Sequence, residues 1–586
     1  MSLSVEDTVA DIALADSVSP LEPDASVVLK LTGASTRVGP ATWGQLHMLR
    51  HLARAGDNAQ IFNYHTLLPV PDGCDLRQVL NAVRDVLDRF ETLRTTCQPD
   101  GDGWRQTVHG DGELAFRLYE APAERVQGVA ERAAEDLSAR PFAVGSEWPV
   151  RCAVVLTAGR PVVLVVAFSH LALDAGGGLV VQRELSRLLA GGAPQPPPAW
   201  QPVDQAEHEQ SSAGRELNEQ AMAFLRQVLR SAPASMFDFP LGEPVAERAV
   251  VLELRSPAAA AANALLADRL RVSTSSVFFA AVAVLLGAYS GRTTTVMHLV
   301  ANNRTSEPQL SLAANLAMDG VCAVDFAGLS FRQVIRHAFE ASIATYLNSQ
   351  ADPSLRWETI GQEGRRLGRY ICLGAALNDG RPPASEVEEV GDEPLESLLR
   401  RTELIRHHHP FGGGRFYIHA GGTGAQTAFT FIGDALYVPH EAMSRLAYGL
   451  ERLLVTAVAR DIPAAEIPAI AGVQPVRRGP EWVRCPDGWA DLAASRELWR
   501  TVAGTEAADI YPVAIDGSLH RLVGYLCAPA DERSIADLHR DFMAALEKST
   551  AIRTPDWYVR CAEAPVSRTD RGSWAGLPVV AEGHGR

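Results

Sequence analysis

The chain has 586 residues, 47% of them hydrophobic and 21% charged, which exceeds one ordinary core and predicts roughly two to four compact units. Its net charge of −16 would repel a phosphate backbone, so nucleic acid is not an expected partner. No apolar run is long enough to cross a bilayer and the acidic start lacks a signal-peptide pattern, so the expectation is a cytoplasmic protein without membrane contact.

Residues 1–37 are rich in Asp, Ser, Ala and Pro and predict a mobile arm with a short helix near Val5–Leu14. From Trp43 the apolar spacing suits a helix; Asn63–Val70 follows as a strand and Leu76–Leu93 as a second helix. Trp104–His109, Leu114–Tyr119, Cys152–Thr157 and Val162–Phe168 read as strands. The last is a continuous apolar run, as expected of a strand covered on both faces. Gly176, Gly177 and Gly178 predict a turn that leads into a helix over Leu179–Leu189. Gly191–Pro198 reads as a stiff linker. Helices are expected at Glu216–Leu229, Ala258–Leu270, from a cap at Ser273 or Ser275 to Tyr289, at Phe331–Leu347 and at His440–Ala459. Strands are expected at Arg248–Leu254, Thr294–Val300, Val321–Phe326 and within Gly421–Ile432. Residues 461–480 read as a second linker. After them Asp516-Gly517-Ser518 signals a hairpin between Ile510–Ile515 and Leu519–Ala528, with a helix at Ser534–Leu546 and a strand at Trp557–Cys561.

No two of the eight cysteines form a Cys-x-x-Cys pair, and they read as reduced packing residues. Consecutive His407, His408 and His409 do not converge easily on one ion, so no metal site is expected.

The chemistry centres on His170. It ends an apolar strand and precedes a glycine-rich stretch, a good position for a general base. Asp174, four residues on, either acts on the imidazole or braces the loop. Spacing alone makes this a weak signal.

Its neighbours carry more. Ser169-His170-Leu171-Ala172-Leu173-Asp174-Ala175 resembles the His-His-x-x-x-Asp-Gly signature of nonribosomal peptide synthetase condensation domains, with Ser169 in place of the first His and Ala175 in place of the Gly. Arg89-Phe90-Glu91-Thr92-Leu93-Arg94-Thr95 is similar to the family's Arg-His-Glu-x-Leu-Arg-Thr stretch, and Trp43-Gly44-Gln45-Leu46 to its opening helix. Trp148-Pro149-Val150-Arg151, Ala301-Asn302-Asn303-Arg304 and Asn378-Asp379-Gly380-Arg381 also look like family segments, in order along the chain.

The resemblance implies an α/β fold. Two chloramphenicol-acetyltransferase-like lobes, residues 38–190 and, with the linker, 191–462, form a V-shaped pseudo-dimer, and a small α/β subdomain follows at residues 477–580. It implies joining of an acyl or aminoacyl thioester on a peptidyl or acyl carrier protein to a small-molecule amine or alcohol acceptor. The product is an amide or ester. Phosphopantetheine is presented by the partner and no cofactor is bound tightly. His170 is the expected catalytic residue, as base or as orienting group. Ser169, Asp174, Ala175 and Gly176 form its loop, whose backbone N–H groups are candidates for an oxyanion site. Arg151 is the expected structural partner of Asp174, and Trp43, Gln45, Asn303 and Asn378 are candidate cleft residues. Ser169 cannot act as a base, so a catalytically silent recruitment domain is the first alternative. A coenzyme A-dependent acyltransferase of the same fold is the second.

The C-terminal stretch also resembles the small subdomain of adenylation domains, at Tyr525-Leu526-Cys527, Thr554-Pro555-Asp556-Trp557 and Glu563–Arg571. Arg568 stands where that family has a Lys, and no large adenylation core is present. The expectation is no ATP use, and either a carrier-interaction or packing role or a vestigial appendage.

Overall fold

A computed structural model describes residues 9–12, 21–241, 247–381, 393–408, 414–422, 424–528, 530–546 and 549–585. It is a mixed α/β molecule with a large sheet in each of three units. The first sheet runs Ala25–Leu31, Gly112–Glu120, Val150–Thr157, Arg160–Ser169 and Asn63–Pro69. Only the Gly112–Glu120 and Val150–Thr157 pair is parallel. The Val162–Phe168 run is covered on both faces. Leu164, Val166 and Phe168 pack with the helices Leu76–Arg89 and Ala175–Leu189, while Val165 and Ala167 pack against Val126–Ser138.

The second sheet has eight strands in the order Val9–Ile12, Glu403–His407, Ala249–Arg255, Ala428–Asp434, Phe416–Gly421, Ala375–Asp379, Thr294–Ala301 and Met318–Asp325. Its Phe416, Ile418, Phe429 and Phe431 face join the helices Pro257–Leu270, Thr274–Ser290, Phe331–Leu347 and His440–Ala459 in one core. Ser273 caps the Thr274–Ser290 helix, whose every side is apolar because every side is buried. Among the described residues no single helix is long and apolar enough to cross a membrane. The bent pair Pro257–Leu270 and Thr274–Ser290 reaches the apolar length only with a 111° break.

Three expectations change. The stretch read as a mobile arm contributes strands at Val9–Ile12, where a helix was expected, and at Ala25–Leu31; the rest of Val5–Leu14 lies outside the described residues. The helix expected at Leu179 begins at Ala175, with Asp174 as its N-cap, so the three glycines belong to its first turns. The stretch 461–480 is partly core: Ile467, Ala471 and Val473 are buried against the second lobe.

The third unit is a six-stranded sheet with the helices Leu492–Ala503 and Ile535–Ala545 around Trp499. It is fastened to the second lobe. Asp487 pairs with Arg369 and Arg553, Thr554 Oγ1 donates to the Gly368 carbonyl at 2.9 Å, and Thr550 Oγ1 to the Asp238 carbonyl at 2.7 Å. Arg568 pairs with Glu506 at 2.7 Å, and its carbonyl receives Tyr511 and Trp574.

Candidate active site

Ser169 ends the Arg160–Ser169 strand and turns the chain. Its hydroxyl oxygen accepts the Leu171 N–H at 3.3 Å and its carbonyl the Ala172 N–H at 3.0 Å. The side chain is buried and spent on this turn. His170 is then fixed through its backbone from both lobes. Its N–H donates to the Phe62 carbonyl at 3.3 Å, and its carbonyl accepts Nδ2 of Asn315 at 2.7 Å. The imidazole meets Tyr64 edge-on, ring centres 6.0 Å apart, and its Nδ1 is buried without a hydrogen-bond partner among the described residues. Burial lowers the His170 pKa below the ordinary imidazole value, with its own backbone carbonyl and Asp174 opposing. The ring is therefore neutral near pH 7 and able to accept a proton.

Asp174 does not pair with Arg151. Its Oδ2 receives Arg304 Nη1 at 2.7 Å and the N–H groups of Leu316 and Ala317 at 2.8 and 2.9 Å, and its Oδ1 receives the Gly177 N–H at 2.7 Å. Arg304 belongs to the Ala301–Arg304 segment of the second lobe, which brings the cation to the loop through space. Arg151 instead holds its own turn. It pairs with Glu147 at 2.8 Å, donates to the carbonyls of Leu137, Arg140 and Pro141, and lies 3.8 Å over the Phe142 ring.

The glycines have spatial reasons. A Cβ on Gly176 would come within 2.8 Å of the Arg304 guanidinium, one on Gly177 would collide with the Ala314 carbonyl, and one on Gly178 would reach 2.8 Å from the Tyr64 hydroxyl. Ala175 needs no such space; it is the exposed first residue of the helix and has no positive φ. The oxyanion expectation narrows, because the Gly177 N–H goes to the Asp174 carboxylate and the Gly178 N–H to the Asp174 carbonyl.

The segment 312–317 of the second lobe thus straps the first. Ala313 lies in the first lobe's core, Ala314 accepts the Asp174 N–H, and Asn315 holds His170. Asn303 supports the strap. At φ 52° its Nδ2 donates to the Leu316 carbonyl at 2.9 Å, and its Oδ1 accepts from Ser349 at 2.6 Å. Trp43 and Gln45 are buried at the start of the Trp43–Ala55 helix: the Trp43 N–H donates to Glu209 at 2.7 Å, and Gln45 completes a capping box with Thr42 and donates to Gln106 at 3.2 Å. Those two and Asn303 are built into the frame and not presented to a cleft.

Asn378 differs. Cross-strand register places Asp319 opposite Val300, His298 opposite Ala376, Ala376 opposite Tyr417 and Asn378 opposite His419. Side chains alternate, so Asp319, His298, Asn378, Tyr417 and His419 share the face opposite the helix-packed core. Asn378 hydrogen-bonds Tyr417, whose pKa burial pushes up to about 12. On the first lobe, His47 and His51, one helical turn apart, meet this face at Asp319. His407 and His408 point apart, to Glu253 and Glu247; His409 lies outside the described residues.

Sequence reasoning missed Arg304 as the Asp174 partner although its segment was singled out. It also missed Tyr64, Asn315 and the His47, His51 and Asp319 cluster. The i, i+4 histidines on a helix were the one readable signal for the last.

Residues 43–314 match the family model described as condensation domain. No curated protein matches. Among solved structures, the condensation domain of the enacyloxin polyketide synthase, which mediates chain release, is 18% identical over 72% of this chain and 83% of its own, with a TM-score of 0.57. The X-domain from teicoplanin biosynthesis is 20% identical over 72% and 95%, TM-score 0.55. The SgcC5 protein from Streptomyces globisporus is 18% identical over 72% and 99%, TM-score 0.56. The match to the condensation-domain model spans His170 and the junction of the two strapped α/β lobes, so residues 43–314 are similar to that family and the solved structures share its fold.

Proposed function

We propose that this domain condenses an acyl or aminoacyl thioester, presented on the phosphopantetheine arm of a carrier protein, with an amine or alcohol acceptor. The nucleophile attacks the thioester carbonyl, the new C–N or C–O bond forms, the C–S bond breaks and the thiol leaves. His170 is the proposed catalytic residue; its neutral ring accepts the nucleophile's proton or fixes its lone pair on the carbonyl. Positioning of this kind lowers a barrier by several kcal/mol without a strong base.

One observation carries the reading. The His170 backbone is held from both lobes while its ring is neutral and held against Tyr64. Asp174 is a structural clamp and not a catalyst.

His170→Ala, assayed with acyl-loaded carrier protein and amine, is expected to lower turnover by about 10²–10⁴-fold. Unchanged product formation would remove His170 from the chemistry.

A second reading is a silent domain that recruits another protein. Ser169 favours it, since its hydroxyl is committed to the turn and offers no second imidazole. So does the likeness to a teicoplanin X-domain solved in complex with OxyB, 18% identical with a TM-score of 0.55. Absence of product from wild-type protein with its genuine carrier would select this reading. The third unit, fixed to the second lobe by the Arg369–Asp487 pair and by Thr550 and Thr554, fits a packing role on either reading.

A further inference from the structure

His47, His51 and Asp319 bring three ligand-type atoms to one point. The Nε2 atoms of His47 and His51 are 3.2 Å apart, and Oδ2 of Asp319 lies 3.4 Å from the first and 3.7 Å from the second. The two imidazoles are within hydrogen-bond reach of each other, while their contacts to the carboxylate are longer. N–H···O bonds run to about 3.2 Å, and both nitrogen–oxygen separations exceed that. Four ligands at zinc's bond length of roughly 2.1 Å sit roughly 3.4 Å from one another in a tetrahedron. All three separations scatter around that value.

The surroundings agree. His47 and His51 occupy successive turns of the Trp43–Ala55 helix, whose backbone fixes them on one face. Asp319 sits on the Met318–Asp325 strand of the other lobe, its own carbonyl held by Arg356. That leaves the guanidinium occupied, because it also donates to the Ser349 carbonyl. His298 shares the Asp319 face, lies near enough to feel its charge, and keeps a buried Nδ1 without a hydrogen-bond partner among the described residues. The three groups remain partly open, with side-chain exposures of 11%, 35% and 19% for His47, His51 and Asp319. Two imidazoles and one carboxylate with an open fourth position form a donor set suited to a borderline divalent ion.

We propose that His47, His51 and Asp319 bind one divalent transition-metal ion of the zinc class and so join the two lobes beside His170. The ion's place is close to that residue: the His51 ring lies 5.9 Å from the Phe62 ring, and the Phe62 carbonyl receives the His170 N–H. Metal binding here is independent of whether His170 acts on substrate. The site is separate from the His407–His409 run, for which no metal is expected.

Co²⁺ titrated into the full chain should give the visible d–d absorption of a low-symmetry site, saturating at one equivalent and displaced by Zn²⁺. Zn²⁺ should also raise the thermal unfolding midpoint. The near-isosteric Asp319→Asn, checked for folding by circular dichroism, should weaken Co²⁺ binding at least the roughly 10–100-fold that loss of even an outer partner brings. His47→Ala with His51→Ala should abolish the band, and a variant with His407, His408 and His409 all changed to Ala should keep it. A wild-type protein with no one-equivalent band, or a band that survives in His47→Ala with His51→Ala, overturns the assignment.

Discussion

Asp174→Ala tests the clamp most sharply. The carboxylate receives Arg304 at 2.7 Å and three backbone N–H groups, from Gly177, Leu316 and Ala317, at 2.7–2.9 Å, and the side chains of both ionic partners are buried. Breaking a buried ion pair from one side costs about 3–5 kcal/mol. Each amide left without an acceptor adds about 1–3 kcal/mol where water cannot replace it. Arg304→Met is the milder change, because Asp174 keeps its three N–H donors; about 1–3 kcal/mol is expected for the lost charged hydrogen bond. For a lobe-sized unit, 1 kcal/mol moves the midpoint by about 2–4 °C. Asp174→Ala should therefore lower it by roughly 6–20 °C from the ion pair alone and Arg304→Met by less, read by near-ultraviolet circular dichroism at fixed pH. Arg151→Met supplies the control. Its guanidinium sits on Glu147 and shares no contact with Asp174, so its effect should add to that of Asp174→Ala within about 0.5 kcal/mol. Equal losses from Asp174→Ala and Arg304→Met, or strong coupling of Asp174 to Arg151, would refute the clamp.

Burial raises the Glu209 carboxyl from 4.5 to about 8, against hydrogen bonds from Gln205 and the Trp43 N–H. The folded state then holds a proton that the unfolded chain releases, so stability is full below about pH 4.5 and falls as pH rises toward 8. Glu209→Gln should flatten the unfolding midpoint between pH 5 and about 8; an unchanged slope would assign it to other groups. Gly177→Ala should push the first turn of its helix off the Ala314 carbonyl and cost about 1–3 kcal/mol. Gly159→Ala, at a position with open space, separates steric from conformational cost, because Gly159 has φ 73°. Loss of thermal stability at Gly159 with none at Gly177 would reverse the assignment.

The elements were legible wherever one physical signal dominated. Phe331–Leu347, His440–Ala459 and Trp557–Cys561 fall where apolar periodicity put them, and the Asp516-Gly517-Ser518 turn joins its two strands. Ala25–Leu31 was hidden because it is an edge strand with alternate residues exposed, Val28 among them, and its polar flanks look like a leader. Asp174 illustrates the limit at the site. Arg151 and Arg304 both stood in segments similar to the family's, and only the strap's course decides between them. Asp319 carried no motif of its own; register across the second sheet, with His298 and Asn378, is what turns it toward His47.

The strap also orders events in time. The backbone donors that complete the Asp174 pocket arrive 142 residues later in the chain, at Leu316. At a synthesis rate of about 5–20 residues per second, the His170 loop waits roughly 7–30 s on the ribosome before its other half exists. During that interval its helix start has a cap but no counter-cation, since Arg304 is also still to come. A gene cut between the lobes would therefore release a first half with an open carboxylate at its centre, and supplying the second half separately would have to restore the pocket by collision rather than by tether.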